Sequence, residues 1–107
     1  MSEFSDVVAR LEMLIASRKG ADPAQSYTAK LLADPGLAAK KLGEESIETV
    51  IAAATGNPDA LAAESADLIY HWLVVLAAAG VGLDQVAQVL QGREGTSGHA
   101  EKASRGT

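Results

Sequence analysis

The chain has 107 residues, with nine Lys and Arg against fourteen Asp and Glu, a net charge of −5. That length holds one hydrophobic core, and a domain this small commonly gains stability by oligomerising. The absence of cysteine excludes disulfides, cysteine-ligated metal centres and a thiol nucleophile, and the acidic balance argues against a nucleic-acid backbone binder or a protein of anionic membrane surfaces.

The 21 alanines favour helix over strand, and no β-branched run alternates strictly, so an all-α domain is expected. The acidic N-terminus, Met1-Ser2-Glu3-Phe4-Ser5-Asp6, lacks the features of a signal peptide. The most apolar stretch, 68–83, contains His71 and reads as too short and too interrupted to span a bilayer. The expectation is a soluble cytoplasmic protein.

In chain order, a first helix is predicted over 3–17, where Phe4, Val7, Val8, Leu11, Leu14 and Ile15 recur at steps of three and four. Arg18-Lys19-Gly20 suits its C-terminus. A loop over 20–26 leads to a short helical turn over 26–33, and Asp34-Pro35-Gly36 reads as a break. A long helix follows over 37–54, stopped by Thr55-Gly56. Asn57-Pro58 then supplies a cap and a first-turn proline for a third long helix reaching Ala79. Gly80-Val81-Gly82 ends that helix, and a last one covers 83–90, stopping at Gly92. From Arg93 onward there is no large apolar residue, so burial cannot offset the entropy of ordering. Residues 1–92 are therefore expected to form the domain and 93–107 a disordered tail, in which His99 is given no role.

The informative residues are acidic. Glu44, Glu45 and Glu48 lie on the 37–54 helix, and Glu64 and Asp67 on the 58–79 helix. Spacings of three and four put the acids of each helix on a shared face. On a helical wheel, apolar residues cover most of the later helix, while Glu64, Asp67 and His71 fall in one stripe about 60° wide. On the earlier helix the wheel assigns Ile47, Val50, Ile51 and Ala54 to the core face, Glu44 and Glu48 to its edge, and Glu45 further out. Lys40 also projects toward the core face, as a structural ion pair or a phosphate ligand.

The short 55–57 connection favours antiparallel packing, which lets the acids face one another. Clustered carboxylates raise each other's pKa, and a divalent cation relieves that repulsion. An oxygen-only set suits Mg²⁺, with Mn²⁺ as the alternative. The competing reading is a solvated acidic face on a non-enzymatic helical dimerisation module.

Three segments resemble the phosphoribosyl-ATP pyrophosphohydrolase family, a branch of the all-α MazG-type nucleotide pyrophosphohydrolases: Ser26-Tyr27-Thr28-Ala29-Lys30-Leu31-Leu32, Lys40-Lys41-Leu42-Gly43-Glu44-Glu45-Ser46-Ile47-Glu48 and Glu64-Ser65-Ala66-Asp67-Leu68-Ile69-Tyr70-His71. The wider superfamily pattern, Glu-Glu-x-x-Glu followed by Glu-x-x-Asp, is intact. Ser46 stands where the resemblance leads one to expect alanine. The likeness spans about 3–93 and implies a four-to-five-helix bundle completed by homodimerisation. It also implies Mg²⁺-dependent hydrolysis of phosphoribosyl-ATP to phosphoribosyl-AMP and pyrophosphate, an early step of histidine biosynthesis. A related hydrolase of free nucleoside triphosphates is the nearest rival.

The resemblance places the metal ligands at Glu45, Glu48, Glu64 and Asp67. It makes Glu44 a further ligand or a water-orienting base beside Glu45 and Glu48. Lys30, Lys40 and Lys41 become phosphate ligands, Lys41 alternatively an ion-pair partner of the acids. Ser26 and Tyr27 become substrate contacts, or a helix cap and a packing tyrosine. His71 is a partner of the ligands or a satisfied core histidine.

Overall fold

A computed structural model describes residues 2–95. Among them five helices and no strand are present: α1 (Glu3–Ser17), α2 (Tyr27–Leu32), α3 (Pro35–Ala54), α4 (Pro58–Ala79) and α5 (Leu83–Gly92). The chain is all-α.

Local chemistry sets the helix ends. Side-chain oxygens of Ser2, Ser26, Asp34 and Asn57 each accept from a backbone N–H three residues on, at 3.1 Å, satisfying donors that a helix start leaves unpaired. The Asp34-Pro35-Gly36 segment, expected as a break, instead starts α3 two residues early. Asp34 is the cap and Pro35 sits in the first turn, where its missing N–H costs nothing. Gly80 ends α4 in the left-handed region at φ +74. The Val81 N–H returns to the Leu76 carbonyl at 2.9 Å, as expected of a glycine-stopped helix. Residues 93–95 form a turn after α5, so the first three residues of the expected tail are described. The remainder of that tail, 96–107 with His99, lies outside the described residues.

α3 and α4 form an antiparallel hairpin, with α1 and α2 packed on α4 and α2 also touching α3. The core joins Ile15, Leu31, Ala38, Leu73 and Val74, each no more than 2% exposed. Leu73 and Val74 place it in the C-terminal half of α4. By length and composition α4, at 22 residues with mean hydropathy 1.3 over its most apolar 18, is apolar enough to cross a membrane; it is longer than the 68–83 stretch that reads as too short.

The face of α3 is a correction. Ile47, Val50 and Ile51 are 63%, 65% and 57% exposed, and Ala54 and Lys40 are exposed as well. The face turned inward instead carries Ala38, Leu42, Glu45, Ser46, Thr49 and Ala52, all buried or half-buried. Apart from Ser46, which flanks Glu45, these residues recur at alternating steps of four and three, and the small side chains of Ala38, Ser46, Thr49 and Ala52 let α3 approach α4 closely. The isoleucine–valine stripe is thus an apolar face left outward in the single chain, and Glu45 turns in rather than out.

Candidate metal centre

α3 and α4 bring three of the expected ligands together. One carboxylate oxygen each from Glu45, Glu48 and Glu64 lies within 4.8 Å of the other two. Asp67 is one turn beyond Glu64 and outside that group, yet its charge acts on both Glu45 and Glu64. Glu44 is not gathered in: it is exposed and pairs with Lys41 at 3.2 Å. Lys30 and Lys40 are exposed, and among the described residues neither is paired with an acid.

The cluster is electrostatically unfavourable as it stands. Glu45 is held above the ordinary glutamate range, chiefly by a hydrogen bond with Glu48, then by burial and the charges of Glu48 and Asp67, with His71 opposing. Glu64 is raised first by burial, then by the charges of Glu48 and Asp67. Lys41 is raised by its hydrogen bond and attraction to Glu44.

Two buried atoms here, Glu45 Oε2 and His71 Nε2, have no hydrogen-bond partner among the described residues. Unpaired buried acceptors are costly. An oxygen donor set with an orphaned carboxylate oxygen fits a hard divalent cation.

His71 is 8% exposed. Its Nδ1 lies 2.9 Å from the Asp67 carbonyl; because a carbonyl only accepts, Nδ1 carries the hydrogen. The ring meets Tyr70 and Tyr27 edge-on, with centroids 4.9 and 6.3 Å away. Tyr70 in turn is hydrogen-bonded through its hydroxyl to Thr28 of α2. This chain of contacts brings α2, and with it half-exposed Tyr27, to the rim of the acidic site. Ser26 is the α2 cap, as one of its two readings held.

Thr28 and Thr49 were not singled out from the sequence. A threonine in a helix interior one turn after a glutamate is a weak signal, because its hydroxyl usually only back-bonds to its own helix.

The family model described as phosphoribosyl-ATP pyrophosphohydrolase matches residues 8–94. The chain belongs to that family. Relatives of the phosphoribosyl-ATP pyrophosphohydrolase family named phosphoribosyl-ATP pyrophosphatase agree along nearly the whole chain. One from Caulobacter vibrioides is 68% identical over 102 residues, 95% of each chain. One from Caulobacter sp. strain K31 is 66% identical over 105 residues, 98% of each. One from Parvibaculum lavamentivorans is 56% identical over 98 residues, 91% of this chain and 90% of its own. A phosphoribosyl-ATP pyrophosphohydrolase is an enzyme, a hydrolase, so the acidic cluster lies in a catalytic protein and not in a mere dimerisation module.

Proposed function

We propose that this chain hydrolyses phosphoribosyl-ATP to phosphoribosyl-AMP and pyrophosphate, an early step of histidine biosynthesis, with Mg²⁺ as the cofactor and Mn²⁺ as a substitute. The observation that carries the reading is the convergence of Glu45, Glu48 and Glu64 around a buried carboxylate oxygen that lacks a partner. Glu45, Glu48, Glu64 and Asp67 hold the cation, and residues 1–92 are the working unit. When bound, the cation neutralises triphosphate charge and lowers the pKa of water. In the reaction a water oxygen bonds to phosphorus, the bridging P–O bond to pyrophosphate breaks, and the proton leaves to a carboxylate of the cluster.

The protein's own groups position the substrate. Lys41, held by Glu44, stands at the rim beside Tyr27. Together with Lys30 and Lys40 it contacts phosphate oxygens. Ser26 retains a hydroxyl proton to donate while its oxygen caps α2, and Tyr27 offers an exposed ring for a base. Glu44 orients water only if it leaves Lys41. His71 holds the Asp67 end of the site through its contact with the Asp67 carbonyl.

The active form is a cytoplasmic homodimer without nucleic-acid or membrane partners. Support for the dimer comes from the outward Ile47, Val50 and Ile51 stripe and from an apolar groove of about 350 Å³ lined by Leu42, Leu68, Ile69 and Trp72; large exposed apolar patches mark interfaces. The test is pyrophosphate release from phosphoribosyl-ATP beside ordinary nucleoside triphosphates, with and without Mg²⁺. Mg²⁺-dependent turnover of phosphoribosyl-ATP alone is expected. Preference for free triphosphates would discard the substrate, and no turnover by folded protein would discard the activity.

A further inference from the structure

The structure assigns to Thr49 the role of a positioning residue that sets the spacing of the metal ligands on α3 against those on α4. Its hydroxyl lies 2.8 Å from the Glu45 carbonyl within α3 and 3.3 Å from the Glu64 carbonyl across the helix interface. One hydroxyl proton is shared between the backbones of two residues whose carboxylates meet in the acidic cluster. It is a side-chain hydrogen bond that crosses from α3 to the backbone of α4.

Its placement matters because the cluster repels itself. The charge of Glu48 on α3 raises the cost of ionising Glu64 on α4, and that of Asp67 on α4 the cost of ionising Glu45 on α3, which tends to push the two helices apart at that level. The largest buried side chains of α4, Leu73 and Val74, lie further along the helix, and at this level only small Ala52 is fully buried on α3. A donor aimed at both backbones counters the repulsion at its source. A threonine also keeps the helix side chain narrow, so the approach of α3 to α4 is not widened.

The proposal rests on the reading of the acids as metal ligands. Both carbonyls lie inside helices and keep their i+4 backbone donors, so removing the hydroxyl leaves neither unpaired. Thr49→Val preserves shape and removes the donor; Thr49→Ser preserves the donor and removes the methyl.

The experiment is Mn²⁺ affinity by electron paramagnetic resonance on the full chain, with helix content by circular dichroism. It is paired with kcat at saturating metal. Thr49→Val is expected to weaken Mn²⁺ binding about five- to tenfold, the worth of one net hydrogen bond, while Thr49→Ser stays within about twofold of the parent. The kcat of Thr49→Val at saturating Mn²⁺ should recover, because the ligands themselves are present. Parental affinity in Thr49→Val would overturn the assignment. So would equal weakening in Thr49→Ser, which would move the effect to methyl packing. Should the valine variant fail to fold, Thr49→Ala removes the same hydroxyl along with the methyl: weakened binding beside parental affinity in Thr49→Ser supports the role, and unchanged binding overturns it. Absence of Mn²⁺ binding by the folded parent would overturn the metal reading itself, a result separate from equality between parent and variant.

Discussion

The two halves of α4 do opposite things. The C-terminal half puts Leu73 and Val74 into the core at 2% and 0% exposure and stabilises the fold by ordinary burial. The stretch before it carries Glu64, raised by burial and by the charges of Glu48 and Asp67, then Asp67 itself and His71, whose buried Nε2 has no partner among the described residues. One helix thus serves as anchor at one end and as an electrostatically loaded site at the other. The lesson is that stability and function separate along a single element, and mutation can address each in turn.

The largest expected effect is on catalysis. Glu48→Gln keeps the shape and removes the charge that touches both Glu45 and Glu64. It should lower kcat/KM for phosphoribosyl-ATP by at least about a hundredfold, roughly 2.7 kcal/mol of transition-state stabilisation, with circular dichroism unchanged. Retained turnover would break the comparison by showing that the loaded end is idle. Next comes the anchor. Leu73→Ala should cost about 2–5 kcal/mol in urea unfolding, while turnover per folded molecule persists. A loss of stability well under 1 kcal/mol would mean that this half is not the anchor.

The smallest effect is the pH dependence. Folding raises Glu45 and Glu64 above the ordinary 4.5, so the native state binds more protons than the unfolded chain just above that pH. This contribution to stability is fully present below 4.5 and is lost as pH rises through the raised values. Metal-free protein should therefore weaken on going from pH 4.5 upward through that window, and saturating Mg²⁺ should flatten or reverse the trend. Urea midpoints across that range, with and without metal, measure it.

How legible was all this in the sequence? Helix ends were, because caps and stops are local: Asn57-Pro58 and Gly80 act where the residues themselves say they should. Pro35 was misplaced as a breaker because proline is equally at home in a first turn. The acids were legible as a set, since spacing of three and four is a property of the helix alone. Which side of α3 faces inward was not. A wheel finds the apolar stripe of Ile47, Val50 and Ile51, but cannot distinguish a face packed within the chain from one left outward. The face that meets α4 is made of Ala38, Leu42, Glu45, Ser46, Thr49 and Ala52, four of them small and only one, Leu42, a large apolar residue. The same ambiguity placed Glu45 outward, and it hid Thr49, whose second carbonyl partner is fifteen residues away on another helix.

The most direct test of the central claim, that repulsion at the loaded end of α4 is relieved by a divalent cation, is the thermal midpoint at neutral pH with and without Mg²⁺, in the parent and in Glu48→Gln. The account predicts that Glu48→Gln melts higher than the parent without metal, and that Mg²⁺ raises the parent markedly and the variant little. A parent indifferent to Mg²⁺, or a variant that responds as strongly as the parent, would contradict it.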